Sequence, residues 1–354
     1  MIEGFQTVLA ASDEERRDLF VGAADRLRTN EQNTEKDFWV CWTLDALFND
    51  LEAGGPRLLF KGGTSLSKGY GLIERFSEDI DITVFREDIG QPATVGELET
   101  LSGKKRNARV EAIRDACQTY IQGPMLERLS VLLEQMLKTA NLNPNRARME
   151  SDPDDPDGQS LLLWYPTATA DGNAYIRRAI KIESGAKSAL DPHAPVVVKP
   201  YIADDLPNLN LAVGNVTTVA PSRTFWDKVV ILHGLRRWWD RRGELRGGGQ
   251  RVSRHYYDVY RLLASETGRK AMEDSEMAED CVRHARMFFN RPDLDLASAV
   301  PGSFVLTPHD GMLANLRRDY EAMSGMVFGP IPTVDEVVAS ISQLERFLNL
   351  TSNR

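Results

Sequence analysis

Lys61-Gly-Gly-Thr-Ser-Leu-Ser-Lys68 is followed by Arg75-Phe-Ser-Glu-Asp-Ile-Asp81, which sets Asp79 fifteen residues beyond Thr64 and Asp81 two further on. Gly62 and Gly63 allow a tight turn and a close backbone approach, because no Cβ stands in the way. Thr64 is placed to cap a helix from Ser65 to about Ile73, and the amides at a helix start form an anion site suited to a triphosphate. Lys68, one turn on, adds positive charge there. Ile80-Asp81-Ile82-Thr83-Val84-Phe85 reads as a strand. Asp79 and Asp81 then share one face, and Ile80, Ile82 and Val84 the other. The acidic face must be wet, paired or metal-bound, since unpaired buried charge is costly. Carboxylate oxygens suit Mg²⁺, which takes one or two protein carboxylates plus substrate phosphates. Two such ions can stabilise the attacking and leaving oxygens of an in-line displacement. Gly-Gly-Thr or Asp-x-Asp alone says little, and the P-loop spacing is absent. Joined in the order strand, Gly turn, helix, strand, they point to phosphoryl or nucleotidyl transfer.

The run resembles motif I of the nucleotidyltransferase superfamily, in which a Gly pair precedes Asp-x-[Asp/Glu] by about a dozen residues. In its fuller form it looks like the AbiEii/AbiGii toxin family, and Glu35-Lys-Asp-Phe-Trp-Val40 is similar to that family's N-terminal helix. The resemblance is strongest over residues 34–85 and weaker to about residue 262. It implies further site residues. Arg178-Ala-Ile-Lys-Ile-Glu183 matches a Lys-x-[Asp/Glu] strand, so Glu183 is expected as a third carboxylate for metal or as a general base, and Lys181 as a cation for phosphate. Lys228, in Thr224-Phe-Trp-Asp-Lys228, matches a helix lysine that meets nucleotide phosphates. Arg254-His-Tyr-Tyr-Asp-Val-Tyr260 resembles an Arg-Asp-x-Tyr-Asp helix, with His255 where an acid is usual. Asp258 is expected to orient Lys228 or a substrate hydroxyl, and an ion pair with Arg254 on the same helix face serves equally well. His255 reads as a satisfied surface histidine rather than a general base.

The acceptor is harder to read. Net charge is −9, which argues against a protein that coats nucleic acid everywhere. Yet Arg236, Arg237, Arg241, Arg242, Arg246, Arg251 and Arg254 fall within nineteen residues, with Trp238 and Trp239 among them. Such a stretch can neutralise phosphates and stack unpaired bases, or it can be an exposed basic helix and loop, or dock an acidic partner. Cys41, Cys117 and Cys281 form no pair or metal pattern, and His193, His233, His284 and His309 have no ligand spacing. No membrane span and no signal peptide are expected, and the scattered thiols suit a cytoplasmic setting.

The elements that must position these residues follow from periodicity and caps. Ser12-Asp-Glu-Glu15 opens a helix to about Arg28, and Thr34 opens a second, rich in core aromatics. Residues 86–108 read as loop, with Gly103-Lys-Lys-Arg106 a basic tip, Arg109–Lys138 as a long helix and residues 141–159 as a loop or hairpin tip. Strands are expected at Ser160–Tyr165, Ala174–Glu183, Val196–Val198 and Val216–Val219. Ser222 is placed to cap a helix from Arg223 to about Trp239, and Arg254–Ala264 and the remainder read as mainly helical, closing with the capping box Thr333–Glu336. The fold expected is α+β, a nucleotidyltransferase-type mixed sheet with flanking helices over residues 1–220. A helical part, 221–354, would contribute to the nucleotide and acceptor cleft.

The resemblance implies a Mg²⁺-dependent nucleotidyltransferase toxin with two ions held by Asp79, Asp81 and Glu183, an NTP substrate and an antitoxin partner. NMP would pass to an acceptor hydroxyl, with the 3′ end of tRNA foremost. A small-molecule or protein hydroxyl, or a silent nucleotide-binding regulator, are the other readings.

Overall fold

The computed structural model describes residues 2–51, 54–170, 177–249 and 251–350. The chain forms two compact units. One comprises residues 1–70, 76–93 and 107–219; the other comprises 71–75, 94–106 and 220–354.

The first unit is built on a mixed seven-stranded sheet of β1 (Leu58–Lys61), β2 (Ile80–Val84), β3 (Arg148–Ser151), β4 (Ser160–Trp164), β5 (Ala179–Glu183), β6 (His193–Val198) and β7 (Val213–Val219). Their order across the sheet is β3-β4-β5-β2-β1-β7-β6. β2 runs antiparallel to β1 and parallel to β5, so the two strands that carry the expected carboxylates are neighbours at the middle. Phe60, Ile80, Ile82, Ile180 and Ile182 are fully buried and share a face, which gives these strands one dry side. Ala174–Ile176, expected as the start of β5, lie outside the described residues.

The Glu31–Asp45 helix packs against β5 and β7 and, on its other side, against the Asp13–Leu27 helix. It is buried around nearly its whole circumference, as Phe38, Trp39, Val40, Cys41, Trp42 and Leu44 require. Its N-cap is Asn30, which accepts from the Asn33 amide, so the helix starts three residues before the expected Thr34. Thr34 instead donates its hydroxyl to the carbonyl of Phe20 at 2.8 Å. The Ser12–Glu15 capping box forms as expected, and Arg28 ends that helix in the left-handed conformation.

Two further expectations are corrected. Thr94 and Glu97 form a capping box for a helix over Val95–Thr100, and Gly103–Arg106 lies in the first turn of the Gly103–Tyr120 helix rather than in a loop. Arg148–Ser151, expected inside a loop or hairpin tip, is an edge strand paired with β4.

The second unit is helical, with helices at Pro221–Arg242, Ser253–Ala264, Glu266–Met272, Ser275–Phe288, Asp310–Met323 and Val334–Leu350. Ser222 is not the cap of the first: Ala220 holds the N-cap position and Pro221 the first turn, where its missing N–H costs nothing. Thr333 and Glu336 close the expected capping box of the last helix. The segment Gly71–Arg75 is fastened within this unit. The Glu74 carbonyl accepts from the Phe328 amide at 2.9 Å and the Tyr257 hydroxyl at 3.2 Å, and the Glu74 carboxylate pairs with Arg261 at 2.7 Å.

Candidate active site

β1 delivers the chain to Gly62, whose φ of +77° favours glycine. The carboxylate of Asp81 lies against it: a Cβ at position 62 would stand 2.1 Å from Asp81 Oδ2. Glycine is therefore required twice over, by conformation and by the neighbouring acid. The helical segment begins at Gly62 itself and ends in a π turn at Ser65–Gly69, so it does not reach Ile73 and Thr64 does not cap it. The Thr64 hydroxyl instead donates to the Asp79 carbonyl and lies 2.8 Å from the Ser77 hydroxyl. Ser65 donates to the Gly62 carbonyl at 2.8 Å. The Thr64 hydroxyl fastens the turn to the segment that carries the acids, and the Ser65 hydroxyl closes the turn on itself.

Lys68 is committed elsewhere. Its ammonium is 2.7 Å from Asp37 and 3.8 Å from the Tyr201 ring centroid, with the side chain almost withdrawn from solvent. Lys36, the residue before Asp37, reaches Glu78 at 2.6 Å. Two adjacent residues of one helix thus grip the motif at Lys68, in the π turn, and at Glu78, just before the acids. Neither Lys36 nor Glu78 stood out in the sequence; the signal was a lysine just before the helix's aromatic run and a third acid beside Asp79.

The acids meet through strand register. Asp81 pairs with Glu183 between β2 and β5, and with Lys61 between β2 and β1, so Lys61, Asp81 and Glu183 form one row. Lys61 lies 4.0 Å from Asp81. Extending the β2–β5 register back by one residue sets Asp79, which is buried, beside Lys181. The Glu183 carboxylate is 2.9 Å from Lys181, which also lies 3.2 Å from Asp152. Asp152, buried just beyond β3, thus reaches this face through Lys181, a contact that the sequence did not signal.

The donor set suits a hard divalent cation: Asp81 and Glu183 are partly open to solvent on adjacent strands. As it stands, with Glu183 drawn to Lys181, no three acidic, His or Cys side chains among the described residues are gathered as a metal cluster. The acids therefore form no preformed cage, and substrate phosphates would complete the coordination.

In the second unit, Asp258 is completely buried and accepts from Arg75 through two bonds of 2.7 and 2.8 Å. Lys228 approaches the same carboxylate to 2.8 Å. The partners of Asp258 are thus Arg75 and Lys228, where Arg254 was the alternative. Burial pushes the Asp258 carboxyl up, but Arg75 and Lys228 outweigh it and hold the group well below the usual carboxylate range. Burial pushes the Lys228 ammonium down, and Asp258 offsets only part of this because Arg75 and Arg254 repel it. His255 is half-buried, not a satisfied surface residue. Its Nδ1 has no hydrogen-bond partner, and burial, Lys228 and Arg254 hold its pKa well below the ordinary histidine value.

The arginine stretch is less available than its sequence suggests. Asp293 and Asp295, remote in sequence, face it. Arg242 bonds Asp293 at 3.0 Å, Arg237 and Arg241 lie 3.6 and 3.8 Å from Asp295, and Arg236 pairs with Asp240 and the Thr307 carbonyl. These arginines fix the end of the Pro221–Arg242 helix to residues 292–295 and 307.

A mixed sheet flanked by helices, with a Gly turn packed against a carboxylate-bearing strand, defines a nucleotidyltransferase-type α+β protein. The family model described as nucleotidyl transferase AbiEii toxin, type IV toxin–antitoxin system, matches residues 45–340, and the chain belongs to that family. It is thus a nucleotidyltransferase toxin, for which an NTP is substrate, a divalent metal is the general requirement and an antitoxin is the implied partner. Among solved structures it is similar to MenT4, a nucleotidyltransferase toxin from Mycobacterium tuberculosis. That likeness has 16% identity and a TM-score of 0.45, covering 94% of this chain and 98% of the other. Among curated proteins none matches at a significant level. No helix among the described residues is long and apolar enough to cross a membrane.

Proposed function

We propose that the chain transfers an NMP from an NTP to the 3′ end of tRNA in a Mg²⁺-dependent reaction, and so blocks translation. The observation that carries the nucleotide half is the row formed by Asp81 and Glu183 beside Gly62. Asp79, Asp81 and Glu183 would hold the metal, and two ions would stabilise charge on the attacking and leaving oxygens. Gly62, Gly63, Thr64 and Ser65 shape the backbone against which the triphosphate lies. Glu183 also draws the proton from the attacking hydroxyl. Lys181 offsets phosphate charge; Lys68 supports the turn from within through Asp37. In the second unit Lys228 is assigned to phosphate, since one carboxylate, Asp258, serves two cations and leaves positive charge in excess.

The tRNA acceptor rests on the toxin class, not on the arginine stretch, most of which is ion-paired internally. Incubation with each labelled NTP, Mg²⁺ and total cellular RNA tests both halves. A labelled tRNA band that disappears in Asp79→Ala and Asp81→Ala is expected. Labelled protein with no labelled RNA would replace the acceptor, and growth inhibition that survives both substitutions would sink the catalytic reading of toxicity.

A further inference from the structure

Lys181 lies within reach of two carboxylates that differ in freedom. Asp152 is 1% exposed at its side chain, and its Oδ1 accepts from the Asp154 amide at 3.1 Å, with Arg177 at 3.8 Å. Its own amide donates to the Ser160 carbonyl at 3.0 Å, and Ser160 is the register partner of Glu183. Asp152 is therefore anchored to the strand that adjoins Glu183. Glu183 is 38% exposed and stands opposite Asp81.

We propose that Asp152 is a positioning residue for the metal-binding face: it holds the Lys181 ammonium, so that Glu183 can leave Lys181 and turn to a divalent cation at Asp81. The proposal rests on the reading above that Asp81 and Glu183 bind the cation. A cation must compete with Lys181 for Glu183. When Glu183 departs, a partly buried ammonium loses a charged acceptor 2.9 Å away, which is costly unless another is already in place. With Asp152 at 3.2 Å the ammonium keeps a charged acceptor when Glu183 changes rotamer. Removing Asp152 takes away the anchored acceptor at 3.2 Å, so Lys181 leans more on Glu183, which tightens the grip that the cation must break.

Mn²⁺ binding, followed by the electron paramagnetic resonance of free Mn²⁺, tests this in wild type, Asp152→Asn, Lys181→Met and the double variant. Substitution of residues that support metal ligands typically costs about 10–100-fold in affinity, and about tenfold or more is expected for Asp152→Asn. Lys181→Met should bind at least as tightly as wild type, and adding Asp152→Asn to it should cost little, because the effect acts through Lys181. Asp152→Glu, which keeps the charge, should bind within a fewfold of wild type. An equal loss from Asp152→Asn with and without Lys181 would show a simple charge effect and overturn the proposal, as would no loss. If Asp152→Asn fails to fold, Lys181→Met decides: weaker Mn²⁺ binding than wild type overturns it. Failure of the wild-type protein to bind Mn²⁺ would sink the metal assignment itself, whereas normal binding by both wild type and Asp152→Asn would sink the positioning role alone.

Discussion

Lys36 donates to the Glu78 carboxylate at 2.6 Å, with both side chains nearly withdrawn from solvent and the ammonium also bonded to the Arg177 carbonyl at 2.8 Å. Glu78 immediately precedes Asp79, so this contact sets where the first acid of the motif begins. Breaking a buried pair by removing one partner strands the other charge and costs about 3–5 kcal/mol. Lys36→Met should therefore lower unfolding free energy by about that amount, measured by urea denaturation. Pairing it with Glu78→Gln should recover part of the loss, because neither buried charge is then stranded.

Gly62→Ala should separate activity from stability. The added Cβ meets Asp81 Oδ2 at 2.1 Å and sits on a backbone with φ +77°. Left-handed backbone costs a residue with a Cβ about 1–2 kcal/mol, whereas a displacement of about 1 Å at a reacting group can cost about 10²-fold in rate. The expected result is a folded protein with a modestly lower Tm and at least hundredfold less nucleotide transfer. Full activity would mean that the Asp81 position does not matter to the chemistry.

Much of this site was legible because its residues lie close in sequence. The Gly turn and Asp79–Asp81 are one run, and alternation on a strand is enough to set Asp81 apart from Ile80 and Ile82. Glu183 could be placed only through resemblance, since the parallel β2–β5 pairing joins segments about a hundred residues apart. Thr64 misled because a hydroxyl after a Gly pair has the chemistry of a cap, while the nearby Asp79 carbonyl competes for it. Lys68 and the arginine stretch misled for a common reason. Charge is visible in sequence, but its partner is not, and Asp37, Asp293 and Asp295 are contributed by remote segments.

His233 predicts an acid sensitivity. It is fully buried; its Nδ1 accepts from the Val305 amide at 3.2 Å and its Nε2 lies 3.1 Å from the Ser298 hydroxyl, an arrangement made by the neutral ring. Burial lowers its pKa from 6.5 to about 4. Because the folded value is depressed, this contribution is fully present above pH 6.5 and is lost as pH falls toward about 4. The loss should be about 3 kcal/mol. Urea titrations from pH 7 to pH 4 should show that decline in wild type and a shallower one in His233→Gln. Equal slopes would mean that His233 does not set the acid limit.

Asp258 and Lys228 should behave differently although they share one ion pair. Asp258→Asn leaves Arg75 and Lys228 buried without their common anion, and stability should fall by about 3–5 kcal/mol. Its folded pKa is depressed, so the stabilisation it gives wild type is present above the ordinary value of 3.8 and disappears as pH falls below it. Lys228→Met removes a cation whose burial is itself unfavourable, while Arg75 still holds Asp258 through two bonds. Its Tm should stay near that of wild type while nucleotide transfer falls by about 10²–10³-fold, the usual cost of losing one group that stabilises transition-state charge. Thermal unfolding and labelled-NTP transfer on both variants check the contrast, and a Lys228→Met protein that keeps full activity would remove Lys228 from the catalytic set.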